Sequence, residues 1–363
     1  MKATQRGFFS LFLSIVRHGV VLKTVLPVII AIILSLIINA LFSDFEAAVQ
    51  KVNYQGVNLI IVFCVFVMLA TTVQKINFAE VKMPSKKYYL AMHSLTWIVK
   101  PLLQFLCASF FFYVVFKNVV GFPKDYTVGM TLMAFAPCTV MVMVWSFLSN
   151  GSLVHAYLST LVNIVLIATV YPIIGYFYLG AVFFKVSYLK ILYATAFYFV
   201  APSLLGLLIK RLYKSPNMKL LTSINISALS LNVFTLFTLW NSRLTQEFLD
   251  LAIVSVPTLV RIIIVVALFF WIIKKFEGKN AAKSAAIIGT SDNIELAIVV
   301  FSVLFGLQSH VFLPVLANIL MELPTMILLV AIFLVMDIRE KEKQFDIEAE
   351  ASLATVTIGE SAS

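Results

Sequence analysis

The sequence predicts an all-α integral membrane protein of ten transmembrane helices, arranged as two inverted five-helix repeats with discontinuous helices 4 and 9. Three observations carry that prediction. Of 363 residues, 61% are hydrophobic and 12% charged, with a mean hydropathy of +1.01, whereas soluble domains carry about 25% charged residues. Ten mostly apolar runs reach the ~20 residues that cross a bilayer. Two of these runs, in matching places of the two halves, are interrupted near their middles by helix-breaking or polar residues.

The runs cover residues 20–42, 56–74, 91–116, 127–148, 153–179, 187–209, 222–242, 249–273, 284–306 and 311–336. They divide the chain into an N-tail (1–19), a first five-helix repeat (20–179), a second (187–336) and a C-tail (337–363) expected to be solvated and poorly ordered. A repeated unit with an odd number of spans lies upside down relative to the first, the plan common in secondary transporters. The net charge of +10 follows from the loops. Nineteen of the 27 Lys and Arg residues, counting Lys23 at a span edge, fall on one side and six on the other. The protein is expected to be a multi-pass protein of the plasma (inner) membrane, and this asymmetry predicts both termini in the cytoplasm. Lys2 and Arg6 precede an apolar run of full membrane length with no small-residue cleavage site, so the first run reads as an uncleaved span.

Span 3 carries Trp97, Lys100 and Pro101; Trp97 and Lys100 read as interfacial anchors. Span 4 holds Ala136-Pro137-Cys138 at its middle. Pro137 has no N–H for the carbonyl of Met133, so the helix breaks there, and because freed carbonyls are tolerated only where buried in protein or lining a watery cavity, Pro137 beside Cys138 reads as a cavity wall rather than a lipid-facing helix. The loop Ser149-Asn150-Gly151-Ser152 is too short for anything but antiparallel neighbours, and span 5 adds Asn163 and Pro172, the asparagine within reach of span 4.

The inverted repeat predicts a second break in span 9, and Gly289-Thr290-Ser291-Asp292-Asn293-Ile294-Glu295 supplies one. Each charge at that depth costs about 2.5–3.5 kcal/mol on insertion scales, so these groups face a cavity or a partner. Asp292 and Glu295 are three apart on one helix face, so mutual repulsion favours holding a proton on one of them. Span 10 places Asn318 and Glu322 one turn apart, followed by Pro324. Arg261, near the centre of span 8, needs an acid: Asp292, Glu295 or Glu322.

Cys64, Cys107 and Cys138 are too far apart in sequence for a CxxC pattern; Cys64 and Cys107 read as packing. His18, His93, His155 and His310 show no metal spacing. With no HExxH, serine–histidine constellation or phosphate loop, the expectation is a transporter rather than an enzyme, without cofactor or bound metal.

The segment from Ala136 through Trp145-Ser146, with Leu148 and Gly151, resembles the fourth-span signature of arsenite efflux permeases of the arsenical-resistance type, within the bile acid/arsenite/riboflavin transporter (BART) superfamily. Asn293-Ile294-Glu295-Leu296-Ala297-Ile298 with Phe305, Gly306 and Ser309 resembles that family's ninth span, and Glu322-Leu323-Pro324 its tenth. The resemblance implies export of arsenite, and often antimonite, from the cytoplasm in exchange for protons. It makes Cys138 the substrate thiol, beside Pro137, Trp145 and Asn293, and makes Glu295 and Glu322 the proton-linked acids, with Asp292 beside them. Trivalent arsenic suits a sulfur ligand, and a single thiol binds weakly enough to release it. The chain departs from the family pattern at Asp292, Arg261 and Ala317-Asn318, which adds an ion pair to the site. The competing reading within the superfamily is a sodium-coupled organic-anion symporter, with Asp292, Asn293 and unwound carbonyls holding sodium.

Overall fold

The computed structural model describes residues 19–54, 57–75, 83–138, 141–179, 201–213, 217–294, 297, 301, 305 and 309–361. Apart from a two-residue hairpin pairing Asn53–Tyr54 with Val57–Asn58, the described chain is helical. Among the described residues four helices are long and apolar enough to cross a membrane: Lys86–Val115, Met218–Leu239, Phe248–Glu277 and His310–Glu340, with shorter apolar helices at Leu26–Leu41, Leu59–Gln74 and Leu153–Ile167. Large apolar side chains such as Phe63, Ile98, Val114 and Ile263 remain exposed on the outside, as suits a molecule whose surroundings are lipid.

The helices are α1 (Gly19–Leu41), α2 (Phe45–Gln50), α3 (Leu59–Gln74), α4 (Lys86–Val115), α5 (Pro123–Ala134), α6 (Met141–Leu148), α7 (Leu153–Leu179) and α8 (Ala201–Leu212). They continue as α9 (Met218–Leu239), α10 (Asn241–Gln246), α11 (Phe248–Glu277), α12 (Lys279–Thr290) and α13 (Leu313–Ser361). Local chemistry sets their starts. The side chain of Asn58 accepts from the amides of Ile60 and Ile61, Ser85 from Tyr88, and Asn217 from Lys219 and Leu220, satisfying donors that a helix N-terminus leaves open. The turn from α6 to α7 has Asn150 in the left-handed region at φ 55°, a conformation asparagine tolerates better than most residues.

The packing sorts the helices into two groups. One joins α1, α3, α8 and α9; the other joins α4, α5, α6, α7, α11, α12 and α13. The groups touch where α3 meets α6 and α1 meets α13. Polar bridges stitch the first group, with Ser35 hydrogen-bonding Thr238 at 3.0 Å and the Asn225 amide hydrogen-bonding the Thr72 hydroxyl at 2.8 Å. At Gly206 α8 rides directly on α3: an added Cβ would stand 2.4 Å from the Ala70 carbonyl oxygen.

Three expectations change. Trp97 and Lys100 do not anchor an interface; both are buried, Lys100 at 0% exposure. Asn163 accepts the Trp97 indole N–H at 3.1 Å, binding span 5 to span 3 rather than to span 4. The tail expected to be poorly ordered continues α13 as helix to Ser361, its first turns held by Asp337 and Glu340, which pair with Lys283 and Lys279 of α12. The sixth expected span is described only from Ala201.

Candidate functional site

The first broken helix is two half-helices, α5 and α6. At 1.5 Å per residue α5 is about 18 Å long and α6 about 12 Å, together the ~30 Å of a hydrocarbon core. Pro137 lies in the unwound stretch after α5. In the second half, α12 stops at Thr290, Ser291 is extended at φ −80°, ψ 140°, and helix resumes at Ile294.

The two unwound stretches cross and pair. Pro137 and Asp292 form an antiparallel bridge. Beside it the Asn293 amide donates to the Ala136 carbonyl at 2.6 Å, and the Cys138 amide to the Ser291 carbonyl at 3.4 Å. Backbone groups freed by the breaks thus satisfy one another across the crossing, as burial at membrane depth requires. A crevice bordered by Gln104, Met130, Met133, Thr258 and Asn318 reaches Asp292 but is too narrow for a water molecule.

Around the crossing lies a buried polar cluster. Lys100 Nζ donates to the Ser291 carbonyl at 2.9 Å and pairs with Asp292 Oδ1. Arg261 donates through Nη1 to Asp292 Oδ1 at 3.3 Å and through Nη2 to Asp292 Oδ2 at 2.8 Å, and reaches Asn318 Oδ1 at 3.3 Å. Glu322 accepts from the Ser291 hydroxyl, from the Asp292 amide at 3.1 Å and from Asn318 Nδ2 at 2.7 Å. Every side chain in this cluster is 2% exposed or less.

Of the residues singled out from the sequence, Pro137, Cys138, Asp292, Asn293, Arg261 and Glu322 come together here. Trp145 is buried in α6. Glu295 lies outside the described residues. Sequence reasoning missed Lys100 and Ser291. Lys100 did carry a signal: it sits deep in its apolar run, where the argument applied to Arg261 applies equally. Pro101 aims it. Lacking an N–H, Pro101 leaves the Trp97 carbonyl without its usual helical donor; the chain widens into a π-turn over Leu95–Val99, with the Lys100 amide bonded to the Leu95 carbonyl.

A membrane protein in which two interrupted helices cross halfway through the bundle, with buried charges at the crossing, has the architecture of a secondary transporter. The chain belongs to the sodium bile acid symporter family, whose model matches residues 62–246. It is 27% identical over 341 residues to the arsenical-resistance protein Acr3 of Alkaliphilus metalliredigens, covering 90% of this chain and 92% of that protein. It is 25% identical over 329 residues to an uncharacterized transporter of Synechocystis (84% and 86% covered) and 23% identical over 327 residues to Acr3 of Corynebacterium glutamicum (84% and 85%). The resemblance to arsenical-resistance permeases carried by residues 136–151, 293–309 and 322–324 therefore holds over most of the chain.

Proposed function

We propose that this protein exports arsenite, and antimonite with it, across the plasma membrane in exchange for protons. The observation that carries the reading is the shared linker. Ser291 accepts the Cys138 backbone amide on its carbonyl and donates its hydroxyl to Glu322, so the residue that carries the thiol and the acid are joined through the same unwound strand. Cys138 binds the cargo: an As–S bond forms as the thiol proton and one arsenic-bound hydroxide leave as water. Glu322 takes up the separate proton that is exchanged for the cargo. Protonation removes one of its acceptor positions, so it loses a bond to Ser291, Asp292 or Asn318 and the crossing loosens; deprotonation draws it tight again. Asp292 stays paired with its two cations, and Glu295 is a second candidate carrier.

The ten-span inverted repeat is part of this proposal. The group of α1, α3, α8 and α9 draws one pair of helices from each half of the chain, and the other group draws the remainder; an inverted duplication sorts helices in this way. With Lys279 and Lys283 at the cytoplasmic end, the termini lie in the cytoplasm.

The test is arsenite tolerance in cells deprived of their own arsenite pumps, followed by arsenite accumulation in everted vesicles with and without a pH gradient. The wild-type chain confers tolerance, and Cys138→Ser and Glu322→Gln each lose most of it. Full tolerance with Cys138→Ser sinks the reading. The family's description favours a second one, a sodium-coupled organic-anion symporter; there uptake follows a sodium gradient and Cys138→Ser is silent.

A further inference from the structure

We infer that Lys100 is a tethered cation occupying the position at the helix crossing that a coupling sodium ion would otherwise fill, so that this chain works without sodium. The inference rests on the crossing being the transport site. Discontinuous helices in transporters coordinate sodium through unwound backbone carbonyls and helix ends. Here the carbonyl of Ser291 and a carboxylate oxygen of Asp292, a fitting pair of hard oxygen ligands, are both taken by the Lys100 ammonium.

Among the described residues the remaining acidic oxygens at the crossing are also spoken for. Arg261 takes Asp292 Oδ2 and shares Oδ1. Glu322 Oε1 accepts from Ser291, and Oε2 from the Asp292 amide and Asn318. Among the described residues two fixed cations face two acids, so with both acids ionised these four groups are neutral before any mobile ion enters. A sodium ion would add an uncompensated charge and would have to displace an ammonium held by α4. Among the described residues no acidic or histidine cluster offers an alternative metal site.

Removing the ammonium while leaving room should therefore create a sodium site. The experiment uses the full chain, purified in lipid nanodiscs, with thermal unfolding measured in sodium chloride and in choline chloride at equal ionic strength. Wild type unfolds at the same temperature in both salts. Lys100→Ala is stabilised by sodium over choline by on the order of 5 °C. Lys100→Met, which fills the space without charge, shows no preference. Sodium stabilisation of wild type overturns the inference, as does indifference of Lys100→Ala to sodium. Recovery of Lys100→Ala only from membranes kept in sodium supports it; equal loss in both salts, with Lys100→Met recovered normally, counts against it. None of these readouts involves arsenite, so failure of the export reading would be seen separately in the tolerance assay.

Discussion

Lys100 and Arg261 reach one carboxylate from two helices, α4 and α11, and among the described residues neither has a second acid as close. Buried pairs of this kind contribute little net stability, yet removing one member costs about 3–5 kcal/mol because an unpaired charge is left behind. Their presence is better explained by what they hold in place, the unwound strand at 291–293, than by stability. A different buried lysine has a measurable consequence. Lys75, just beyond the inner end of α3, lies 3.6 Å over the Phe147 ring of α6, at the seam between the two helix groups. Burial pushes its ammonium down from 10.5 to about 7. Between those two values the unfolded chain holds a proton that the folded chain has released, so stability rises with pH across that window. Thermal midpoints of the wild type measured from about pH 7 to about pH 10.5 should therefore climb more steeply than those of Lys75→Met.

Helix breaks and close approaches decide how the elements meet. Pro137 ends one rod and the polar run 289–293 the other, and the π-turn before Pro101 rotates Lys100 toward the meeting point. Gly206 decides another contact: α8 can lie on the Ala70 carbonyl only because no side chain intervenes, the small-residue packing typical of membrane helices. Gly206→Val should force α3 and α8 apart and destabilise the fold by about 1–3 kcal/mol, the usual cost of overpacking. Gly121→Ala, with nothing within 4 Å of the new methyl, is the neutral control. Equal thermal midpoints for the two variants would remove the argument.

The bundle is closed at both ends of its broken helices. At one end, Asp337 of α13 pairs with Lys283 through both oxygens at 2.6 Å, pairs with Lys279 at 2.9 Å and accepts from Asn150 at 3.2 Å. These contacts bind α12 and α13 to the turn between α6 and α7. At the other, Phe122 stacks on His310 with ring centroids 3.5 Å apart, and Gly129 sits under the Val311 carbonyl. Alternating access then requires one closure to open while the other holds, with the two helix groups moving against each other at the α3–α6 seam. The proposed orientation puts the lysine-rich end in the cytoplasm. Glu340→Cys, at an exposed position of that end, should react with a membrane-impermeant maleimide in everted vesicles and be protected in intact cells. The reverse pattern would invert the orientation.

By itself the sequence determined the membrane class, the spans that can be compared with the described helices and the places where two of them break. These follow from local causes: hydropathy summed over a run, a missing amide at Pro137, and a polar run that cannot stay helical in hydrocarbon. It also supplied the candidates Cys138, Asp292 and Glu322. The tertiary structure decided the partnerships. Lys100 and Ser291 are 191 positions apart, and nothing in the spacing of either half says which face of α4 turns toward the crossing. A lysine at the same depth would have been an interfacial anchor had its helix been rotated outward, where its long stem could carry the charge to water. The packing of α4 against α5 and α11, together with the π-turn before Pro101, turned it inward, onto a strand with a carbonyl and a carboxylate to receive it.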